Sequence, residues 1–147
     1  MIEYQPLTSE DFGDWLPLWH GYLAFYKAQV PPATTEQTFE RLTAGNEPMG
    51  GFIARDQQGN AVGIVHWILH RSCWTAGDYC YLQDLFVAPE RRAGGIGRRL
   101  IEAVYALGAA RGCARVYWLT HESNTDAMKL YDKVAERSGL IQYRKLL

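Results

Sequence analysis

With 147 residues and a formal net charge of -1, the chain has room for one domain with a real core, and it lacks the strongly basic surface that binds nucleic acid. Hydrophobic residues make up 48% of it, yet no stretch approaches the ~18 uninterrupted apolar residues that a membrane-spanning helix needs. Met1-Ile2-Glu3-Tyr4 has no basic region ahead of a long apolar run, so no signal peptide is read there, and three cysteines without metal-ligand spacing, Cys73, Cys80 and Cys113, point to reduced thiols in a cytoplasmic setting.

Met1 to Pro6 reads as a short strand, after which Thr8-x-x-Asp11 supplies a capping box for a helix running to about Ala28. Leu16, Trp19, Leu23 and Tyr26 share one face of that helix. Pro31-Pro32 breaks it, and Thr35 to Leu42 makes a second helix carrying Phe39 and Leu42. Gly50 to Asp56 and Ala61 to His70 read as a hairpin joined through Gln57-Gln58-Gly59-Asn60. In its second strand Val62, Ile64 and Ile68 alternate with Val65, Trp67 and Leu69, so both faces are apolar and the strand belongs in mid-sheet. Tyr79 to Val87 is the next strand, apolar on both faces apart from Gln83 and Asp84. Gly95 to Arg111 is a helix with a stripe of Ile96, Leu100, Val104 and Leu107. Val116 to Leu119 is a short buried strand, Asn124 to about Glu136 a helix, and Ile141 to Leu146 a closing strand. This order gives an α/β chain with one mixed sheet and helices on both of its faces, in a single domain over residues 1–147 without internal repeat or linker.

Arg92-Ala93-Gly94-Gly95-Ile96-Gly97 lies between a strand and a helix. A helix start carries about four unpaired N–H groups and about half a positive charge, and glycines let an anion approach the backbone, so the segment suits a pyrophosphate. Arg91, Arg92, Arg98 and Arg99 add charge around it. The third glycine of a dinucleotide fingerprint is missing, and no Walker A run occurs. What remains is R-x-x-G-x-G, read as Arg92-x-x-Gly95-x-Gly97.

That pattern, with Leu85-Phe86-Val87-Ala88-Pro89-Glu90 before it and Arg98-Arg99-Leu100-Ile101 after it, resembles the coenzyme A loop of the GNAT superfamily, the Gcn5-related N-acetyltransferases, and the resemblance extends over essentially the whole chain. It implies the acyl-CoA N-acyltransferase fold, with fourth and fifth strands that splay apart so that the pantetheine arm of acetyl-CoA enters the V. It also implies that the loop from Arg92 through Ala93, Gly94, Gly95, Ile96 and Gly97 to Arg98 binds the pyrophosphate, while the backbone of Leu85, Phe86 and Val87 pairs with the arm and holds the thioester carbonyl. Asn124-x-x-Ala127-x-x-x-Tyr131 resembles the family's N-x-x-A/S-x-x-x-Y, which implies that Asn124 binds the arm and Tyr131 donates to the departing sulfur. A phenol with pKa near ~10 is protonated at neutral pH and not far from a thiol's ~8.5. No metal is implied.

For the acceptor, polyamine-acetylating relatives place Glu-Asp before the L/F-F-V segment, whereas this chain has Gln83-Asp84. Gln83 cannot take a proton, so Asp84 is the leading base, acting directly, through water or as an electrostatic site for a cationic amine; an ion pair with an arginine is its competing reading. Glu122 and His121 are alternatives at the mouth, and His66 reads as a hydrogen-bonded core residue. Gly21 to Lys27 looks like the corresponding helix of the small Hpa2-type histone and polyamine acetyltransferases, so Tyr22 and Tyr26, with Gln83, Asp84 and Glu122, are expected at the substrate. Trp67, Trp74 and Asp78 are expected to complete an aromatic, acidic channel with Asp84, suited to alkylammonium groups.

The resulting expectation is an N-acetyltransferase that moves an acetyl group from acetyl-CoA to a primary amine, whether a polyamine, a small diamine or a lysine side chain, by direct attack in a ternary complex. No cysteine has a neighbouring histidine and acid for an acyl-enzyme. Gln83 motivates a second reading, an acyl-CoA-binding sensor without turnover. Only one strand is left after the last helix where relatives commonly have two, so an edge is expected to stay unpaired and a homodimer is expected, exchange of the C-terminal strands being one arrangement open to it.

Overall fold

The apolar strand at the centre of the pattern is the centre of the sheet. In the computed structural model, which describes residues 1–147, β1 (Glu3–Pro6), β2 (Met49–Arg55), β3 (Ala61–His70) and β4 (Tyr79–Val87) run antiparallel in that order, and β5 (Arg115–Tyr117) joins β4 in parallel. Ile64 and Val65, neighbours on β3, are both fully buried because each face of the sheet is covered. On one face, α1 (Phe12–Phe25) and α2 (Pro32–Thr43) supply Trp15, Leu18, Trp19, Phe39 and Leu42 against Ile53, Ile64 and Phe86. On the other, α3 (Ile96–Ala110) sets Leu100, Ile101 and Val104 on Val65, Trp67, Cys80 and Leu82, with α4 (Thr125–Val134) beside it.

Two local devices aim α1 at β4. The expected cap is present, with the Asp11 carboxylate accepting the Thr8 backbone N–H at 2.8 Å. Arg55 of β2 then clamps this end by donating to Asp11 at 2.8 Å and Asp14 at 2.9 Å. Further along, a Cβ at Gly21 would lie 2.8 Å from the Phe86 ring, so the helix settles directly onto β4. α1 stops at Phe25, short of the expected Ala28, because Lys27 turns into the left-handed region with a φ of 52° before the proline pair.

β4 departs from simple alternation. His66 pairs with Asp84 and Trp67 with Leu82, so Gln83 is an extra residue with no partner on β3. The bulge shifts the phase of the strand: Cys80 and Leu82 before it and Leu85 and Val87 after it all pack on the α3 side, while Phe86 joins the α1 cluster. A bulge also bends and twists its strand. Pairing with β5 ends just short of it, at Tyr81–Tyr117. The fourth and fifth strands therefore splay, as the family resemblance implied.

The closing strand expected at Ile141 to Leu146 does not form, since residues 135–147 have no regular structure. Ile141 and Tyr143 alternate with Gln142 and Arg144, but a strand exists only when its backbone pairs with a neighbour, and this segment pairs with none.

Candidate active site

Asp84 follows the bulge directly and turns toward α1, where it is 9% exposed. A carboxylate so placed is costly unless hydrogen-bonded. Its Oδ2 accepts from His66 Nδ1 at 2.9 Å, and the Trp15 indole N–H donates to His66 Nε2 at 3.0 Å. His66 is thus the hydrogen-bonded core residue that the sequence led us to expect. The competing reading, an arginine ion pair, is not what the carboxylate makes: its partner is this histidine, opposite it on β3.

Three phenols face the same carboxylate. Burial first, and the Asp84 charge next, push Tyr22 and Tyr26 of α1 and Tyr81 of β4 above the usual phenol range, so all three are protonated donors around it. Tyr22 stacks on Trp19 at 5.6 Å and touches Tyr26 at 5.0 Å. Tyr26 also borders Tyr131 of α4, whose pKa is pushed up to about 12 by burial and then by Tyr26. Tyr131 packs edge-on against Trp118 at 5.4 Å. One ring of α1 therefore links the acid on β4 to the phenol on α4.

Past Tyr81 the outer edge of β4 is uncovered. Alternate residues of an antiparallel strand turn their N–H and C=O to opposite sides. Ala88 N–H bonds Val62 O at 2.9 Å on the β3 side, which directs the Leu85 and Val87 backbone groups to the open edge. There Arg92 Nε donates to Val87 O at 3.0 Å.

At the start of α3, Gly95 takes a φ of 84°, open to glycine and strained for other residues, and a Cβ added to it would meet nothing within 4 Å. Ala93 is also left-handed, with a φ of 67°. The first intrahelical bond is Arg99 N–H to Gly95 O at 3.1 Å, so the amides of Ile96, Gly97 and Arg98 precede the ladder, and no side chain caps them. The arginines are less free than expected. Arg91 pairs with Asp56 at 3.1 Å, Arg98 with Glu102 at 3.1 Å, and Arg92 also lies over the Phe86 ring at 5.3 Å. Asn124 stands at the N-cap of α4, yet its carboxamide makes no capping bond.

The expected channel is not assembled. Trp67 lies on the opposite face of the sheet with the α3 cluster, because it neighbours His66 on β3 and alternation turns it away. Trp74 is 90% exposed, and Asp78 pairs with Arg71 at 3.2 Å. Glu122 and His121 are exposed in the β5–α4 turn, where His121 Nδ1 meets Ser123 Oγ at 2.7 Å. Tyr81 and Trp15 were not anticipated. Tyr81 left no signal in a run apolar on both faces; only the packing of its neighbours Cys80 and Leu82 against α3 turns it toward α1.

Comparison with known proteins converges on one assignment. The Acetyltransferase (GNAT) family matches residues 15–135. D-amino-acid N-acetyltransferase HPA3 of Saccharomyces cerevisiae is 33% identical over 145 residues, covering 98% of this chain and 90% of that protein. Thialysine N-epsilon-acetyltransferase of Caenorhabditis elegans is 32% identical over 133 residues, covering 90% of this chain and 81% of its own length. The structure of AAC(6')-Iy with the bisubstrate analog CoA-S-monomethyl-acetylneamine shares the fold, with a TM-score of 0.85 at 22% identity over 100% of this chain and 99% of that one. With the splayed sheet and the glycine loop, these likenesses establish that the chain belongs to the GNAT family, as an acetyl-CoA-dependent acyltransferase of amine-type substrates.

Proposed function

We propose that this protein acetylates a primary aliphatic amine, with polyamines, small diamines and lysine side chains as candidate acceptors, by direct attack on acetyl-CoA in a ternary complex. The observation that carries this reading is the buried Asp84 beneath Tyr22, Tyr26 and Tyr81, beside the open edge of β4. An ammonium group suits a carboxylate among aromatic rings. Asp84 takes one ammonium proton, and the neutral amine attacks the thioester carbonyl, held by the outward backbone of Leu85 and Val87 beside Phe86. The amides from Arg92 to Arg98, Asn124 and the open loop at Gly94 and Gly95 hold the rest of the cosubstrate.

Tyr131 serves the departing sulfur. With its pKa near 12, full proton transfer to a thiolate is uphill, which revises the closer match read from the sequence. A hydrogen bond that stabilises the developing charge is what it contributes. Gln83, exposed on the bulge, and Glu122 border the rim and contact the substrate beyond its amine. The relatives named for D-amino acids and thialysine act on compounds that carry primary amines. Cys80 is buried, with burial and then Cys113 pushing its thiol up to about 12, which agrees with attack without an acyl-enzyme. All three thiols are free, in keeping with a cytoplasmic setting. The test is thiol release from acetyl-CoA with spermidine, a short diamine, a lysine peptide, a D-amino acid and an amine-free blank. Release above the blank with at least one amine is expected. Tight acetyl-CoA binding with no release from any of them would favour the sensor.

The protein is also proposed to act as a homodimer. Leu140, Ile141, Tyr143, Leu146 and Leu147 are each at least 78% exposed, and β5, only Arg115–Tyr117 long, is the last strand of the sheet. Fully burying such a side chain is worth about 1.5–3 kcal/mol, and a second copy offers the matching unpaired edge. Sedimentation at micromolar concentration is expected to give twice the chain mass for the full protein and the single-chain mass for one ending at Ser138. A full-length monomer would exclude the exchange.

A further inference from the structure

We infer that Trp15 and His66 form a positioning relay that presents one oxygen of Asp84 to the acceptor amine, an inference that rests on the proposed role of Asp84. The indole N–H can only donate, so the His66 Nε2 it reaches at 3.0 Å is the unprotonated nitrogen. The ring proton is therefore on Nδ1, which donates to Asp84 Oδ2 at 2.9 Å. This ring is 2% exposed and packs against the stacked pair Trp15 and Trp19, with centroids 5.9 and 5.6 Å away, so neither nitrogen can exchange partners by turning to solvent.

In a histidine–carboxylate pair that works through the imidazole, the acid is the inner member and orients the ring. Here the order is reversed. The imidazole is the inner member with its far nitrogen occupied, and the carboxylate is the outer one. His66 uses up Oδ2 and fixes the carboxylate plane, so the substrate meets Oδ1 alongside the Tyr22 hydroxyl, which also hydrogen-bonds this carboxylate. When the ammonium N–H bond breaks, the proton goes to Oδ1, forming the neutral acid, and the nitrogen keeps its electron pair for the thioester. The proton goes no further inward, because protonating Nε2 would set two N–H groups against each other.

Rate and stability separate this role from packing. In H66L both hydrogen bonds are lost, and kcat with an amine acceptor is expected to fall about 10- to 100-fold at unchanged acetyl-CoA affinity. In H66N the carboxamide N–H can replace Nδ1 toward Asp84, whereas Trp15 loses its acceptor. Most of the kcat is then expected to return while the thermal midpoint stays as low as in H66L. If kcat follows the midpoint in both variants, the relay is wrong, whereas a fully active D84N would remove the base itself. Should either variant fail to fold, the imidazole nitrogen spectrum of the intact protein decides. His66 is expected as the pure Nδ1–H tautomer, turning into a mixture in W15F, and an Nε2–H tautomer in the wild type would overturn the assignment.

Discussion

Asp84→Asn is expected to lower kcat by about 10²- to 10⁴-fold at neutral pH, the range spanned by a lost general base, with acetyl-CoA affinity unchanged. The substitution isolates the charge. An amide oxygen can still accept from His66 Nδ1, so the buried chain from Trp15 onward is retained, and nothing in the core changes volume. What disappears is the group proposed to hold an ammonium and take its proton. The pH profile carries the sign of the effect. A primary amine with pKa near ~10.4 is almost wholly protonated at neutral pH, and only the neutral form attacks, so the residual rate of the variant should climb about tenfold per pH unit as the free amine grows. A variant with wild-type kcat, or with a rate flat in pH, would show that the acid plays no part in deprotonation.

Tyr131→Phe is expected to cost about 100-fold in kcat, comparable to removing one donor from a site of developing negative charge. Acetyl-CoA binding should persist, because the ring itself packs on Trp118 and phenylalanine keeps that contact. The donor form of a phenol is the protonated one. Burial and Tyr26 raise its pKa to about 12, so the proposed assistance to the leaving group is expected to extend into alkaline solution rather than fade near the usual phenol range. Steady-state assays of wild type and variant across neutral and alkaline pH should therefore run parallel. If they converge as the pH rises through ordinary phenol values, the hydroxyl titrates earlier than its burial dictates. Unchanged turnover would remove its role altogether.

Much of this architecture was legible in the chain. The stripe Ile96, Leu100, Val104 and Leu107 and the doubly apolar β3 follow from the hydrophobic pattern, which survives folding because it records which face meets the core, and the proline pair marks the break after α1 because proline cannot continue a helix. The glycine loop was legible because few residues other than glycine tolerate a φ of 84°. The bulge was not. Tyr79 to Val87 is apolar on both faces, and such a run carries no phase, so the placement of Asp84 opposite His66 and of Trp67 on the far side emerged only with the register. The Trp15–His66 bond joins positions 51 residues apart and leaves no local trace. The tail failed for another reason, since Ile141 and Tyr143 alternate with polar neighbours but a strand also needs a paired backbone, and residues 135–147 take no regular structure.

Gln83 has a consequence that its own side chain does not explain. Removing that one residue would bring His66–Asp84 and Trp67–Leu82 into consecutive rungs, so every inward side chain of β4 could keep its place. The straightened strand could then zip onto the residues that follow Tyr117, and the slot between them would close. A molecule shortened by this single letter is expected to keep the register of its core and to lose the opening in which the thioester is proposed to lie.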